Sequence, residues 1–260
     1  MDYLEHHSVV HSFNPVSLEE IDCLKLMNRI DTKFVFSAGI LPQLLETLTP
    51  VYKILEINNK REFLYETRYL DTEDMLFYFQ HVRGMLARHK IRFRKYESTD
   101  TAFLEIKRRT NRNRTVKWRI KNSYDSRITG EAASRFINKH IPFNSNTLEP
   151  VLENRFTRVT LAGFNTMERL TFDFNMNFTS TEGSGIELPY LAIAELKSDG
   201  YPSLSPFITA VKTMGIKPTG FSKYCMGNAL LRELPKKNIL KQKIILLNKI
   251  ENEYTKLYCS

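Results

Sequence analysis

Arg92 and Arg94, Glu105 and Lys107, Lys117 and Arg119, Arg169 with Thr171 and Asp173, and Glu195 and Lys197 all stand two residues apart in runs that otherwise alternate with apolar residues. On a β-strand, residues two apart point to the same side. Five strands therefore share one design, with charge on one face and Ile91, Phe93, Leu104, Ile106, Val116, Trp118, Ile120, Leu170, Phe172, Ala194 and Leu196 on the other. A solvated sheet face would also alternate. Solvated faces mix signs, however, whereas residues 83 to 121 hold 14 Lys or Arg against 3 acidic residues. Such a single-sign field fits a wet, anion-filled channel, because burying these cations dry would be prohibitive. Arginine forks grip phosphate oxygens in pairs, and lysines add mobile point charge. A carboxylate among them makes sense if it holds a divalent metal that bridges to phosphates. By parity Glu105 is such a residue; it either holds a metal or pairs with a neighbouring arginine.

The elements that must carry these residues are about eight strands: 29–36, 61–71, 90–97, 102–109, 114–121, 154–162, 168–178 and 189–197. Their short links imply mostly antiparallel pairing. Helices are expected over 16–27 with Ser17 as N-cap, over 39–48, after the capping pair Asp71 and Thr72, and near 129–139. Residues 179–188, "TSTEGSGIEL", read as a flexible loop. The last 60 residues turn helical, and Leu240, Ile244 and Leu247 form an apolar stripe suited to packing on a barrel wall. The expected class is thus α+β: an eight-stranded antiparallel β-barrel with flanking helices. Its parts are a helical lead-in (1–27), the barrel domain (28–232) and a C-terminal amphipathic helix (233–260).

The whole chain is consistent with this. Its 260 residues suffice for a sizeable core, and a formal charge of +9 favours anionic partners. Three scattered cysteines show no metal or disulfide spacing. The start lacks a signal-peptide pattern, and no stretch approaches the roughly 18 apolar residues of a membrane span. The reading is a soluble cytoplasmic protein, with docking on a membrane, through a membrane-protein partner, left open. The six histidines show no ligand spacing, and Tyr224 suits either core packing or the channel mouth.

Seven segments in order, "RIDTKF", "RYLDT", "KIRFRKY", "FLEIKRR", "RLTFD", "AELK" and "FSKYCMG", resemble the catalytic domain of the vacuolar transporter chaperone (VTC) polyphosphate polymerases, within the triphosphate tunnel metalloenzyme, or CYTH-like, superfamily. The resemblance covers residues 28 to 232 and implies an eight-stranded tunnel that binds polyphosphate or nucleoside triphosphate. It implies phosphate binding by Lys33, Arg92, Arg94, Lys107, Lys117, Arg155, Arg169 and Lys223, joined here by Lys197, and Glu195 as the carboxylate for Mn2+ or Mg2+. The ExExK signature of the CYTH triphosphatases is absent near the N-terminus, which favours the polymerase branch. Gly220 stands where a second basic residue is expected.

The activity so implied is transfer of the terminal phosphoryl group of ATP to a growing inorganic polyphosphate chain. Arg92, Arg94 and Arg169 would clamp the phosphates, and Lys33 and Lys223 would orient them. The rivals are hydrolysis of tripolyphosphate or a nucleoside triphosphate in the same tunnel, and a non-catalytic polyphosphate- or RNA-binding module. Against RNA, Phe93, Trp118 and Phe172 fall on the apolar side of their strands.

Overall fold

The computed structural model describes residues 3–24, 29–111, 114–124, 130–199, 205–235 and 237–258. Eleven strands form one sheet: β1 (Pro15–Val16), β2 (Arg29–Ser37), β3 (Lys53–Leu55), β4 (Phe63–Thr72), β5 (Arg88–Tyr96), β6 (Thr101–Arg109), β7 (Thr115–Lys121), β8 (Leu148–Gly163), β9 (Glu168–Ser180), β10 (Gly185–Leu188) and β11 (Leu191–Asp199). Eight of them make the main path, in the order β2-β11-β9-β8-β4-β5-β6-β7, and every pair along it is antiparallel. The fold is α+β with a large antiparallel sheet, as the alternation of the sequence requires. Among the described residues no ladder joins β7 back to β2.

The sheet nevertheless curls into a tunnel-like trough. Lys33 on β2 and Lys90 on β5 are five strands apart along the path, about 24 Å in a flat sheet. Yet Lys33 Nζ donates to the Phe221 carbonyl at 3.3 Å and Lys90 Nζ to the neighbouring Ser222 Oγ at 3.1 Å. Only a strongly curved sheet can bring both lysines to adjacent residues of one segment.

Helices cover both faces. On the convex side α1 (Tyr3–Ser12), α3 (Leu41–Leu48) and α6 (Pro206–Thr213) close a core that includes Val10, Leu44, Leu45, Phe34, Leu170, Phe172 and Phe207. Further along the same side, α5 (Glu131–His140) packs Ala133 and Ile137 against Ile91, Phe93, Leu104 and Ile106. The concave side is filled at one end by α7 (Lys223–Leu231), whose Tyr224, Cys225 and Met226 meet Tyr69, Phe156, Phe178 and Ile193. Gly227 makes this approach possible, since a Cβ there would lie 2.6 Å from Phe178 Cδ1 and 2.7 Å from Leu152 Cδ2. Beside it α8 (Lys241–Tyr258) buries Leu247 and Ile250 in the same cluster, with Leu240 just before it and Ile244 partly buried against it.

Several elements differ from the expectation. The segment 179–188 is not a loop: β9 runs to Ser180 and pairs with β10, because Gly183, at φ +90°, permits the tight turn. The helix α2 is confined to Leu18–Asp22, with the Ser17–Glu20 capping box in place, and residues 25–28 lie outside the described ones. The amino-terminal segment forms α1, anchored by Val10 and Phe13 in the convex core. The helix α4 (Leu76–Val82) starts later than expected, yet Asp71 and Thr72 still cap it: Asp71 accepts from the Phe77 and Tyr78 amides, and Thr72 Oγ1 from that of Leu76. Among the described residues no helix is long and apolar enough to cross a membrane.

Candidate active site in the basic trough

Strand register sorts the concave face into rows. On one wall Lys90, Lys107 and Lys117 stand side by side across β5, β6 and β7. The next row is Tyr69, Arg92, Glu105 and Arg119, and the one beyond it Thr67, Arg94, Phe103 and Lys121. Directly opposed like charges repel. The first row contains no acid at all, so it is the part of the trough with most to gain from an anion.

The opposite wall is compensated. There Lys33, Glu195 and Thr171 form one row, and Asp31, Lys197 and Arg169 another. Glu195 Oε1 lies 3.4 Å from Lys33 Nζ, and its Oε2 accepts from Lys197 Nζ. Asp173 is gripped by both arms of Arg158, at 2.5 Å and 2.7 Å, and by Lys223. On the first wall Glu105 accepts from Arg92 Nε at 2.8 Å, sits 2.7 Å from its Nη2, and also pairs with Lys117. Each of these three carboxylates is thus shared between two cations.

The proton equilibria follow this arrangement. Burial pushes the carboxyls of Glu105, Asp173 and Glu195 up, but the paired cations more than offset it and hold all three below the usual range. The lysines are lowered as well, which costs them charge. The Arg92 guanidinium, then burial, brings Lys107 down to about 6, while burial brings Lys90 and Lys223 down to about 8. These shifts leave the trough with less charge than its lysine count suggests.

The helix α7 is tied to this site by its first turn. Ser222 Oγ caps the helix by accepting from the Cys225 amide, besides receiving Lys90. The Tyr224 hydroxyl donates to Asp71, which is fully buried beneath α4. Tyr224 is thus a core residue that links α7, α4 and β4. Among the other candidates, His89 is buried between Phe77 and Phe143, and His140 stacks on Trp118 with ring centroids 4.6 Å apart.

The VTC domain family matches residues 28–232. This chain belongs to it. No curated protein sequence matches the chain at a comparable level. Among solved structures, a candidate adenylate cyclase from Bacillus halodurans shares 14% identity over 77% of this chain and 98% of its own, with a TM-score of 0.51. A candidate adenylyl cyclase from Hippeastrum, described with a dominant triphosphatase activity, shares 14% identity over 80% of this chain and 99% of its own, with a TM-score of 0.49. The first likeness shows that this VTC domain has the CYTH-like, triphosphate-tunnel type of fold.

Within the VTC domain the trough brings together Lys33, Arg92, Arg94, Lys107, Lys117, Lys197, Lys223, Glu105 and Glu195, and strand register puts Arg169 in the Lys197 row. Arg155 is not among them. It lies on the other face of β8, is 57% exposed, and pairs with Glu66 at 3.0 Å. The arginine that β8 sends into the trough is Arg158, which alternates with the buried Val159 and Leu161. That alternation was readable in "NRFTRVTLA", whereas Arg155 shares the parity of the apolar positions. Lys90 was likewise readable, two residues before Arg92. At Gly220 an added Cβ would meet no atom within 4 Å, so a longer side chain fits where the resemblance expects a basic one.

Among the described residues no three His, Cys, Asp or Glu side chains converge as a ready metal cage. Magnesium and manganese sites on phosphate substrates need only one or two carboxylates, because phosphate oxygens and waters complete the shell. Glu195 fits that role better than Glu105, since its side chain is 21% exposed and that of Glu105 is 0% exposed.

Proposed function

We propose that this VTC domain is a polyphosphate polymerase that transfers the terminal phosphoryl group of ATP to an inorganic polyphosphate chain. The reading rests above all on the acid-free row Lys90–Lys107–Lys117 on one wall of a curved basic face, in a chain of the VTC family. In the transfer, an oxygen of the acceptor's terminal phosphate forms the new bond to the γ-phosphorus. The bond from that phosphorus to the β-γ bridging oxygen breaks, and ADP leaves with the electron pair. Such a step needs positioning and charge neutralisation rather than an activated side-chain nucleophile.

The residues divide the work. Arg92, Arg94 and Arg158 grip phosphate oxygens, with Arg169 on the opposite wall. Glu105 and Asp173 hold Arg92 and Arg158 in fixed orientations through short ion pairs, so they act as positioning residues. Lys33, Lys107, Lys117, Lys197 and Lys223 neutralise the chain. Glu195 is the residue to hold Mn2+ or Mg2+, which when bound would draw charge from the bridging and terminal phosphate oxygens.

The test is incubation of the purified protein with ATP and Mn2+, followed by phosphorus NMR and gel electrophoresis, beside an Arg92→Ala/Arg94→Ala protein. Long-chain polyphosphate made only by the unaltered protein is expected. Orthophosphate as the sole product would replace polymerisation by hydrolysis, and absence of turnover would remove the catalytic reading.

A further inference from the structure

Three aromatic side chains share the charged face around the paired ends of β4, β5 and β6. Tyr65 and Tyr96 are register partners with ring centroids 5.0 Å apart, and Phe103 meets Tyr96 edge-on at 5.9 Å. They have the parity of Thr67, Arg94 and Glu105, and each is only partly buried. Tyr65 is already engaged, stacked on Phe156 with centroids 5.4 Å apart and covered by Arg158 at 4.8 Å and Arg94 at 5.6 Å, whereas the Phe103 ring meets, among the described rings and cations, only Tyr96 and the Arg119 guanidinium, the latter at 4.9 Å. Phe93 and Phe172, by contrast, are sealed in the convex cores.

A half-open aromatic ledge beside the exposed guanidinium of Arg119 is poor packing for a folded core. It is suited to a planar heterocycle, which stacks on the rings and accepts an arginine plane on its other side. The spacing agrees. Phe103 precedes Lys107 by four residues on β6, roughly 13 Å of strand, and an extended nucleoside triphosphate spans a distance of that order from base to terminal phosphate. We infer that Tyr96 and Phe103, with Arg119, form a base-stacking subsite for a nucleoside triphosphate whose terminal phosphate reaches the Lys90–Lys107–Lys117 row. The inference rests on the proposed use of the trough for triphosphates and adds which end the nucleoside occupies.

The test compares ATP with inorganic tripolyphosphate by calorimetric titration in metal-free buffer. Tyr96→Leu/Phe103→Leu is expected to bind ATP about ten-fold more weakly while binding tripolyphosphate as the unaltered protein does, with an unchanged melting temperature. Arg119→Ala, at an exposed position, is expected to weaken ATP more than tripolyphosphate. Equal losses for both ligands, or none, would overturn the subsite. So would a single-stranded oligonucleotide that displaces ATP and depends on the same rings, since the ledge would then serve nucleic acid. Failure of the unaltered protein to bind tripolyphosphate would instead sink the triphosphate reading of the trough itself.

Discussion

Replacing Lys107 by methionine should remove most of the proton uptake that accompanies anion binding. Lys107 faces Lys90 on one side and Lys117 on the other, and the Arg92 charge, then burial, holds it near a pKa of about 6. At pH 7 about one such amine in ten is protonated. A bound polyanion supplies the counter-charge the row lacks and returns the amine toward its ordinary range, so binding should take up about one proton at this site. Lys90 and Lys223, near 8, are already mostly charged at pH 7 and add little there. Because the bound form holds more protons, affinity must rise as pH falls, by about ten-fold per unit between pH 8 and 6, and level off below about 6. The assay is calorimetric titration with tripolyphosphate at pH 7 in buffers of different ionisation enthalpy, using both proteins. The difference between them cancels the ligand's own titration. Equal proton uptake, or parallel loss of affinity from pH 6 to 8, would refute the reasoning.

Three further outcomes are expected. Arg158→Ala leaves Asp173 with Lys223 alone, so it should cost about 3–5 kcal/mol of stability and most tripolyphosphate affinity; Arg155→Ala, on the outer face, should cost less than about 1 kcal/mol and leave binding unchanged. Denaturant melts and titrations of the two proteins decide between these arginines. Glu195→Gln should abolish Mn2+-dependent turnover yet keep metal-free tripolyphosphate binding, and loss of both would assign Glu195 a purely structural place. The melting temperature should rise between pH 6.5 and 9, because the unfolded chain binds more protons than the folded one where Lys107, Lys90 and Lys223 are depressed. Tripolyphosphate should flatten that slope, and a melting temperature that falls over this range would contradict the assignment.

Much of the fold was legible because alternation is a local property. Each of β5, β6, β7, β9 and β11 carries its own in-out pattern, and the structure keeps the apolar half of each against a core, except Val116 at the outer end of β7, which is exposed. What stayed illegible is how strands continue past their patterned centres. The strand β8 extends to Leu148 through residues buried by distant helices, Leu148 in the α5 cluster and Val151 and Leu152 in the α7 cluster, and β10 needs only Gly183 and a partner on β9. The amino-terminal helix is weakly patterned, and two side chains, Val10 and Phe13, suffice to dock it.

The site shows the same division between what one strand states and what only the sheet states. Parity alone separates Arg158 from Arg155, and a motif carried over without it selects the wrong neighbour on β8. No single strand, however, reveals that Lys90, Lys107 and Lys117 fall in one row, or that Glu105 lies between Arg92 and Lys117. Register creates both facts, and they pull in opposite directions. Where register pairs a carboxylate with two cations, the trough gains fixed guanidinium geometry at the loss of free charge. Where it aligns lysines without an acid in the row, only Lys117 reaches a carboxylate, Glu105 of the next row, and Lys90 and Lys107 give up protons more readily. A channel for a flexible polyanion needs both kinds of row, one to set the orientation of the grip and one to hold the attraction in reserve. The aromatic ledge follows the same rule, since Tyr96 and Phe103 belong to two strands and become a surface only when those strands are paired.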